Sequence, residues 1–162
     1  MGEAHLLNIQ IDATKCTACQ ACELSCSLTK EGAFAPSLSR IRVVQVHHRG
    51  MNVPIVCVNC ADAPCIKACP TGAVYRDDSV PVVRIQEADC IGCGDCVRAC
   101  PFGAVDMNEE RGVAIMCDLC DGKPVCVDHC LYGALSFGPN AKVAQVKRLA
   151  QAEAVAARHR GE

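Results

Sequence analysis

The sequence has no tryptophan, two tyrosines and three phenylalanines, so aromatics are 3% of a 162-residue chain that is 51% hydrophobic. Large aromatic side chains usually carry much of the burial in a core, so something else must fill this one. No apolar run approaches the ~20 residues of a membrane-spanning helix, and no span is expected. Met1 to Cys16 has neither a basic region followed by an apolar one nor a twin-arginine pair, so no secretory address is expected. Also missing is any constellation of nucleophile, base and orienting group that would mark a catalytic site. A chain of this length makes one domain or two small ones.

What is abundant is cysteine, 16 residues in all. In a short secreted chain that level suggests a disulfide scaffold. Here the spacing is too regular, and a reducing cytoplasm with thiolates reserved for metal fits better. The organising stretch is Cys90-Ile-Gly-Cys-Gly-Asp-Cys-Val-Arg-Ala-Cys100-Pro101. It reads C-x2-C-x2-C-x3-C-P, the run of bacterial iron–sulfur ferredoxins. Cys90, Cys93 and Cys96 are three apart, so a tight loop can wrap them around three corners of a [4Fe–4S] cube. Gly92 and Gly94 let the backbone approach the sulfides. Pro101 pushes Cys100 out of helical dihedrals, and in two-cluster ferredoxins this fourth Cys ligates the other cluster.

The motif occurs four times. Cys16, Cys19, Cys22 and Cys26 have the same spacing; Cys57, Cys60, Cys65 and Cys69 have two extra residues before the third Cys, and Cys117, Cys120, Cys126 and Cys130 have three. No cysteine is left over, and four sets of four imply four [4Fe–4S] clusters. The cubes then replace the missing aromatics as core, and the metal-free chain is expected to be unfolded. Sixteen thiolates and four oxidised clusters of about +2 each take the formal charge from −2 to about −10, which disfavours a nucleic-acid partner.

Around the motifs, alternation over His5–Ile11 predicts a strand, Asp12–Lys15 a turn, and Leu24–Thr29 a helical turn around Cys22 and Cys26. Leu38–His47 is rich in β-branched residues and predicts a second strand, followed by a turn at Arg49, Gly50 and Asn52. His47 and His48, adjacent on a strand, would face opposite ways and are read as surface residues. Pro70-Thr-Gly-Ala-Val74, Pro101-Phe-Gly-Ala-Val105 and Leu131-Tyr-Gly-Ala-Leu135 repeat one pattern, an exit turn at Gly followed by a short strand. Further strands are expected at Val80–Ile85 and Val113–Met116. Tyr75, Phe102 and Tyr132 lie beside the loops and are expected to pack over the cubes. Lys67, Arg98 and Lys123 either raise local potential through charge or are solvated, and His129 is read as a non-ligand beside Cys130. Asn140–Arg160 has Val143, Val146, Leu149 and Ala150 at helical spacing and is expected to form a C-terminal helix. That helix packs on its own domain or docks on a partner; docking on a second copy would join chains end to end.

Motifs two and three share the Cys-Pro ending, whereas Ser27 and Leu131 stand there in motifs one and four. This pairs two with three and one with four. The four motifs in this order resemble the four-cluster polyferredoxin subunits of molybdenum and tungsten oxidoreductases, including those of the dimethyl-sulfoxide reductase and formate dehydrogenase types. The segment Cys117–Cys130 is similar to the small iron–sulfur subunits that accompany aldehyde:ferredoxin oxidoreductase-like tungsten enzymes. The resemblance covers residues 5–138. It implies an α+β fold of two bacterial-ferredoxin-like modules, an inner one over 53–108 and an outer one over 5–35 with 111–138, together 1–138; the helical spacing beyond it, which the resemblance does not cover, adds a C-terminal helical extension over 139–162. The resemblance also implies four ligand sets: Cys16, Cys19, Cys22 and Cys130; Cys26, Cys117, Cys120 and Cys126; Cys57, Cys60, Cys65 and Cys100; Cys69, Cys90, Cys93 and Cys96.

The expected role is a non-catalytic cytoplasmic electron-transfer subunit. Its partners would be a large tungsten- or molybdenum-pterin catalytic subunit and a flavin subunit or soluble ferredoxin. An independent polyferredoxin and a subunit of a hydrogenase or formate dehydrogenase complex remain open. So does a zinc-binding interaction module, which would be colourless where clusters are brown.

Overall fold

The computed structural model describes residues 7–77 and 79–139. The expected C-terminal helix at Asn140–Arg160 lies outside the described residues. Among the described residues, eight strands form four separate antiparallel pairs. Strand β1 (Leu7–Ile11) pairs with β8 (Leu135–Pro139), β2 (Ile41–Val46) with β3 (Met51–Val56), β4 (Val74–Arg76) with β5 (Val83–Ile85), and β6 (Val105–Asn108) with β7 (Val113–Met116). Four helices follow the cysteine loops: α1 (Ala21–Glu31), α2 (Pro64–Ala68), α3 (Asp95–Ala99) and α4 (Val125–Asp128).

Three of these helices are about one turn long, and for two of them the reason is local. Cys69 and Cys100 each precede a proline, and both take extended backbone at ψ 113° and 112° as the caps of α2 and α3. At the matching point of the first motif stands Ser27, and the helix continues through Cys26 for 11 residues to a left-handed Gly32 cap. Ser27 is fully buried; its hydroxyl donates to the Leu24 carbonyl and accepts the Ala35 amide.

The repeat read from the sequence is visible in the backbone. The amides of Gly72, Gly103 and Gly133 close equivalent turns onto the carbonyls of Cys69, Cys100 and Cys130. Each of those glycines has positive φ, where a side chain costs about 1–2 kcal/mol. A 3₁₀ turn delivers the chain into the first motif at Ala13–Lys15 and into the third at Glu87–Asp89. The amide of Asp12 donates to Ala134 O, and that of Gln86 donates to Ala73 O, both at 2.8 Å.

Helix α1 packs on α4, and α2 packs on α3. Two buried clusters result. One gathers Ile9, Ile41, Val56, Val82, Leu119 and Leu135 with Cys22, Cys26, Cys117 and Cys126. The other gathers Val74, Val83, Val105, Ala114 and Met116 with Cys65 and Cys96. Val82 and Val83, both fully buried, are neighbours in sequence and face different clusters, as successive residues of extended chain do.

Several expectations change: α1 exceeds the helical turn expected at Leu24–Thr29, and the strand expected over Val80–Ile85 is confined to Val83–Ile85. The turn expected at Arg49, Gly50 and Asn52 ends at Gly50, and Met51–Val56 is a strand, paired with β2 over its whole length and containing Pro54. A two-stranded sheet is all edge, and there a proline is tolerated. The residues His47 and His48 lie in a 3₁₀ turn before Gly50, not on the strand, and both are exposed.

Candidate iron–sulfur sites

All sixteen cysteines are free. Each C-x2-C loop turns on a residue in the left-handed region just before its second cysteine: Ala18 (φ 57°), Asn59 (48°), Gly92 (69°) and Leu119 (57°). Only the third motif uses glycine there. A Cβ on Gly92 would stand 2.4 Å from the carbonyl oxygen of Gly112, so the β6–β7 turn reaches the third loop too closely for any other residue. Asn59 tolerates the strained conformation as asparagine does and is pinned by its side chain. Its Nδ2 donates to Pro81 O at 2.7 Å, and its Oδ1 accepts the Val83 amide at 3.1 Å and the Arg76 guanidinium at 3.1 Å.

The loops and helices leave two similar cavities. One is lined by Cys16, Cys19, Cys22 and Cys130 and by apolar groups including Val43, Pro54 and Leu135. The other is lined by Cys57, Cys60, Cys65 and Cys100, with Val83 and Val105 behind them. Each therefore takes three cysteines from one motif and the last cysteine of another. Tyr132 lines the first cavity and Phe102 the second; Tyr75 instead lines a polar cleft with Lys30, Arg40 and Arg84.

Electrostatic neighbours extend the pattern. Burial pushes the Cys22 thiol up to about 12, reinforced by Glu23, Cys19 and Cys130. Burial likewise takes Cys57 to about 11, with Cys65, Cys60 and Cys100 adding to it. Burial takes Cys126 to about 12, with Cys26, Cys120 and Cys22 beside it. Cys117 is raised well above the ordinary thiol value by burial and by Cys126, Cys57 and Cys26. Cys96 is raised by burial, with Cys90 and Cys69 as neighbours. For Cys69, desolvation acts upward, but amides of Val74, Thr71 and Ala73 and the Thr71 hydroxyl outweigh it and hold the thiol below its usual value.

Backbone amides point at several sulfurs: Arg40 N at Cys26 Sγ (3.3 Å), Asn59 N at Cys57 (3.4 Å), Ala104 N at Cys100 (3.4 Å) and Ala114 N at Cys90 (3.5 Å). Such donors stabilise thiolates and the extra charge of a reduced cluster. The donor set suits iron–sulfur cubes: soft sulfur ligands, apolar walls, amides aimed at sulfur. Among the described residues, no three His, Cys, Asp or Glu side chains converge as they would on a single metal ion.

The remaining candidates have ordinary partners. Lys67 pairs with Asp62 and Arg98 with Asp95, all on exposed side chains. His129 Nδ1 lies 2.9 Å from Val125 O, at the end of α4. Lys30 carries no signal in the sequence. It lies on α1 one turn beyond Cys26, with its Nζ 2.6 Å from Asp118 Oδ2. Only tertiary structure unites these residues, which are 88 positions apart. Among the described residues no helix is long and apolar enough to cross a membrane.

Residues 49–140 match the 4Fe-4S dicluster domain family, and residues 13–30 match a 4Fe-4S binding domain. The chain is 45% identical to the polyferredoxin-like subunit of the aliphatic sulfonate oxidoreductase of Pyrococcus furiosus, over 75% of this protein and 70% of that one. It is 37% identical to the B subunit of the anaerobic dimethyl sulfoxide reductase of Escherichia coli, over 80% and 71%. Its fold is similar to that of one component of the benzoyl-coenzyme A reductase active-site complex BamBC, with a TM-score of 0.50, 30% identity and coverage of 93% and 94%. With its four cysteine motifs, the protein thus belongs to the 4Fe-4S dicluster family that includes the dimethyl sulfoxide reductase B subunit, as a non-catalytic electron-transfer subunit with four [4Fe–4S] clusters.

Proposed function

We propose that the chain relays single electrons along four clusters in a row. In order, they are held by Cys16, Cys19, Cys22 and Cys130; by Cys26, Cys117, Cys120 and Cys126; by Cys57, Cys60, Cys65 and Cys100; and by Cys69, Cys90, Cys93 and Cys96. The observation that carries this order is the proximity of the sets: Cys22, Cys117 and Cys126 share one buried cluster with Cys57 packed against it, and the charges of Cys22 and Cys126, and of Cys57 and Cys117, interact. The third and fourth sets share one buried cluster through Cys65 and Cys96. Cys19 and Cys93, the two exposed cysteines, then belong to the two ends of the row, where electrons must enter and leave. The packing of α2 on α3 and of α1 on α4 supports an inner module over 53–108 and an outer module over 5–35 with 111–138.

When bound, such clusters supply one-electron oxidation and reduction. The protein's own work is to supply thiolates, to aim amides at them, and to exclude water from the inner sites with residues such as Leu119, Val82 and Val56, all nearly fully buried.

The row joins a catalytic subunit to a second redox partner. The likeness of Cys117–Cys130 to tungsten-enzyme small subunits favours a tungsten- or molybdenum-pterin catalytic partner, with a flavin subunit or soluble carrier at the other end, in a reducing cytoplasm. Two relatives serve an aliphatic sulfonate oxidoreductase and a dimethyl sulfoxide reductase, so this family feeds more than one chemistry. Anaerobic purification of the native protein tests the reading. The expected result is a stoichiometric large subunit containing tungsten or molybdenum; a protein that runs alone would overturn it.

A further inference from the structure

We propose that the Lys30–Asp118 pair sets the reduction potential of one cluster, the one assigned to Cys26, Cys117, Cys120 and Cys126. This rests on that ligand assignment. Because Ser27 replaces the proline of the second and third motifs, α1 runs on past Cys26 and places Lys30 one turn further along. Its ammonium meets Asp118 Oδ2 at 2.6 Å, while Oδ1 of the same carboxylate accepts the amide of the ligand Cys120 at 3.1 Å. A single carboxylate therefore stands between the ammonium and the ligand loop. The Lys30 and Asp118 side chains are 20% and 25% exposed, against 68% for Lys67 and 69% for Arg98, two basic residues inside the motifs. Water and salt screen the latter; Lys30 and Asp118 act through a less polar medium.

Reducing a cluster adds one negative charge. A fixed cation nearby favours the reduced form and a fixed anion disfavours it. The two members of this pair therefore act in opposite directions on the same cluster, and with Arg84, whose guanidinium lies 4.0 Å from the same carboxylate oxygen, Asp118 Oδ2, they set the height of the second step in the row. A purely structural salt bridge behaves otherwise: removing either partner breaks the same contact and has the same kind of effect.

The test is a potentiometric titration of the anaerobic holoprotein followed by electron paramagnetic resonance, with iron and sulfide counted in every variant. Cys26→Ser and Cys120→Ser first identify the signal; if they alter two different clusters, the ligand assignment fails, whatever the charge variants do. On the identified signal, Lys30→Met should lower the midpoint, Asp118→Asn should raise it, and Lys30→Arg should leave it near wild type, with the other three midpoints unmoved. Asp118→Asn is isosteric and still accepts the Cys120 amide, so it reads the field even if Lys30→Met loses iron. Shifts of the same sign in Lys30→Met and Asp118→Asn, or no shift in Asp118→Asn, would overturn the proposal.

Discussion

Asn59 shows how much one side chain can carry in a protein with few large core residues. It sits 2% exposed in the second cysteine loop, holds a positive φ, and bonds to Pro81, Val83 and Arg76. Replacing it with alanine leaves the buried Val83 amide without an acceptor, a cost of about 2 kcal/mol. Asn59→Ala should therefore bleach at a lower temperature than wild type, followed as loss of visible absorbance on heating. An unchanged bleaching temperature would mean that the loop is held by iron alone. The sequence offers the cysteine but not this anchor: asparagine between two cysteines looks like any polar loop residue until its partners around β5 are known. Gly92 is legible as a close-approach position, yet the atom it makes room for, Gly112 O, comes from a turn twenty residues away.

At the scale of elements, the entry to β5 is the joint of the molecule. Val82 joins the cluster built on the first and fourth motifs, and Val83 joins the one built on the second and third. Val82→Ala and Val83→Ala each remove buried methyl groups at a cost on the order of 2 kcal/mol, but on different sides. Val82→Ala should loosen the cluster at Cys26 and Cys117, and Val83→Ala the clusters at Cys65 and Cys96. The check is the order in which spectroscopic signals vanish during slow iron chelation; the same order in both variants would contradict the division. The cysteine motifs, the exit turns and most strands are legible because each rests on local chemistry: fixed spacing, glycine at positive φ, β-branched residues. Strand β3 is hidden by Pro54. Helix α1 is longer than the helical turn its sequence suggests, although Ser27 in place of proline is the signal for it. The ion pairs Arg42–Asp106 and Arg111 with Glu31 and Glu87 cannot be read in advance, since long-range partners are chosen by the fold.

For the whole molecule, iron and sulfide form the core that aromatic residues would otherwise supply. Burial raises Cys22 and Cys126 to about 12 and Cys57 to about 11. A raised value favours the protonated thiol, so metal must displace a proton from each, and acid favours the reverse. Iron release to a chelator should therefore be faster at pH 5.5 than at pH 7.5, followed at constant ionic strength; equal rates would contradict the coupling. The central claim, that sixteen cysteines hold four cubes, is tested most directly by metal and sulfide analysis of the anaerobically purified protein. Four cubes require about 16 iron and about 16 acid-labile sulfide per molecule. About four zinc per molecule with no sulfide would contradict them.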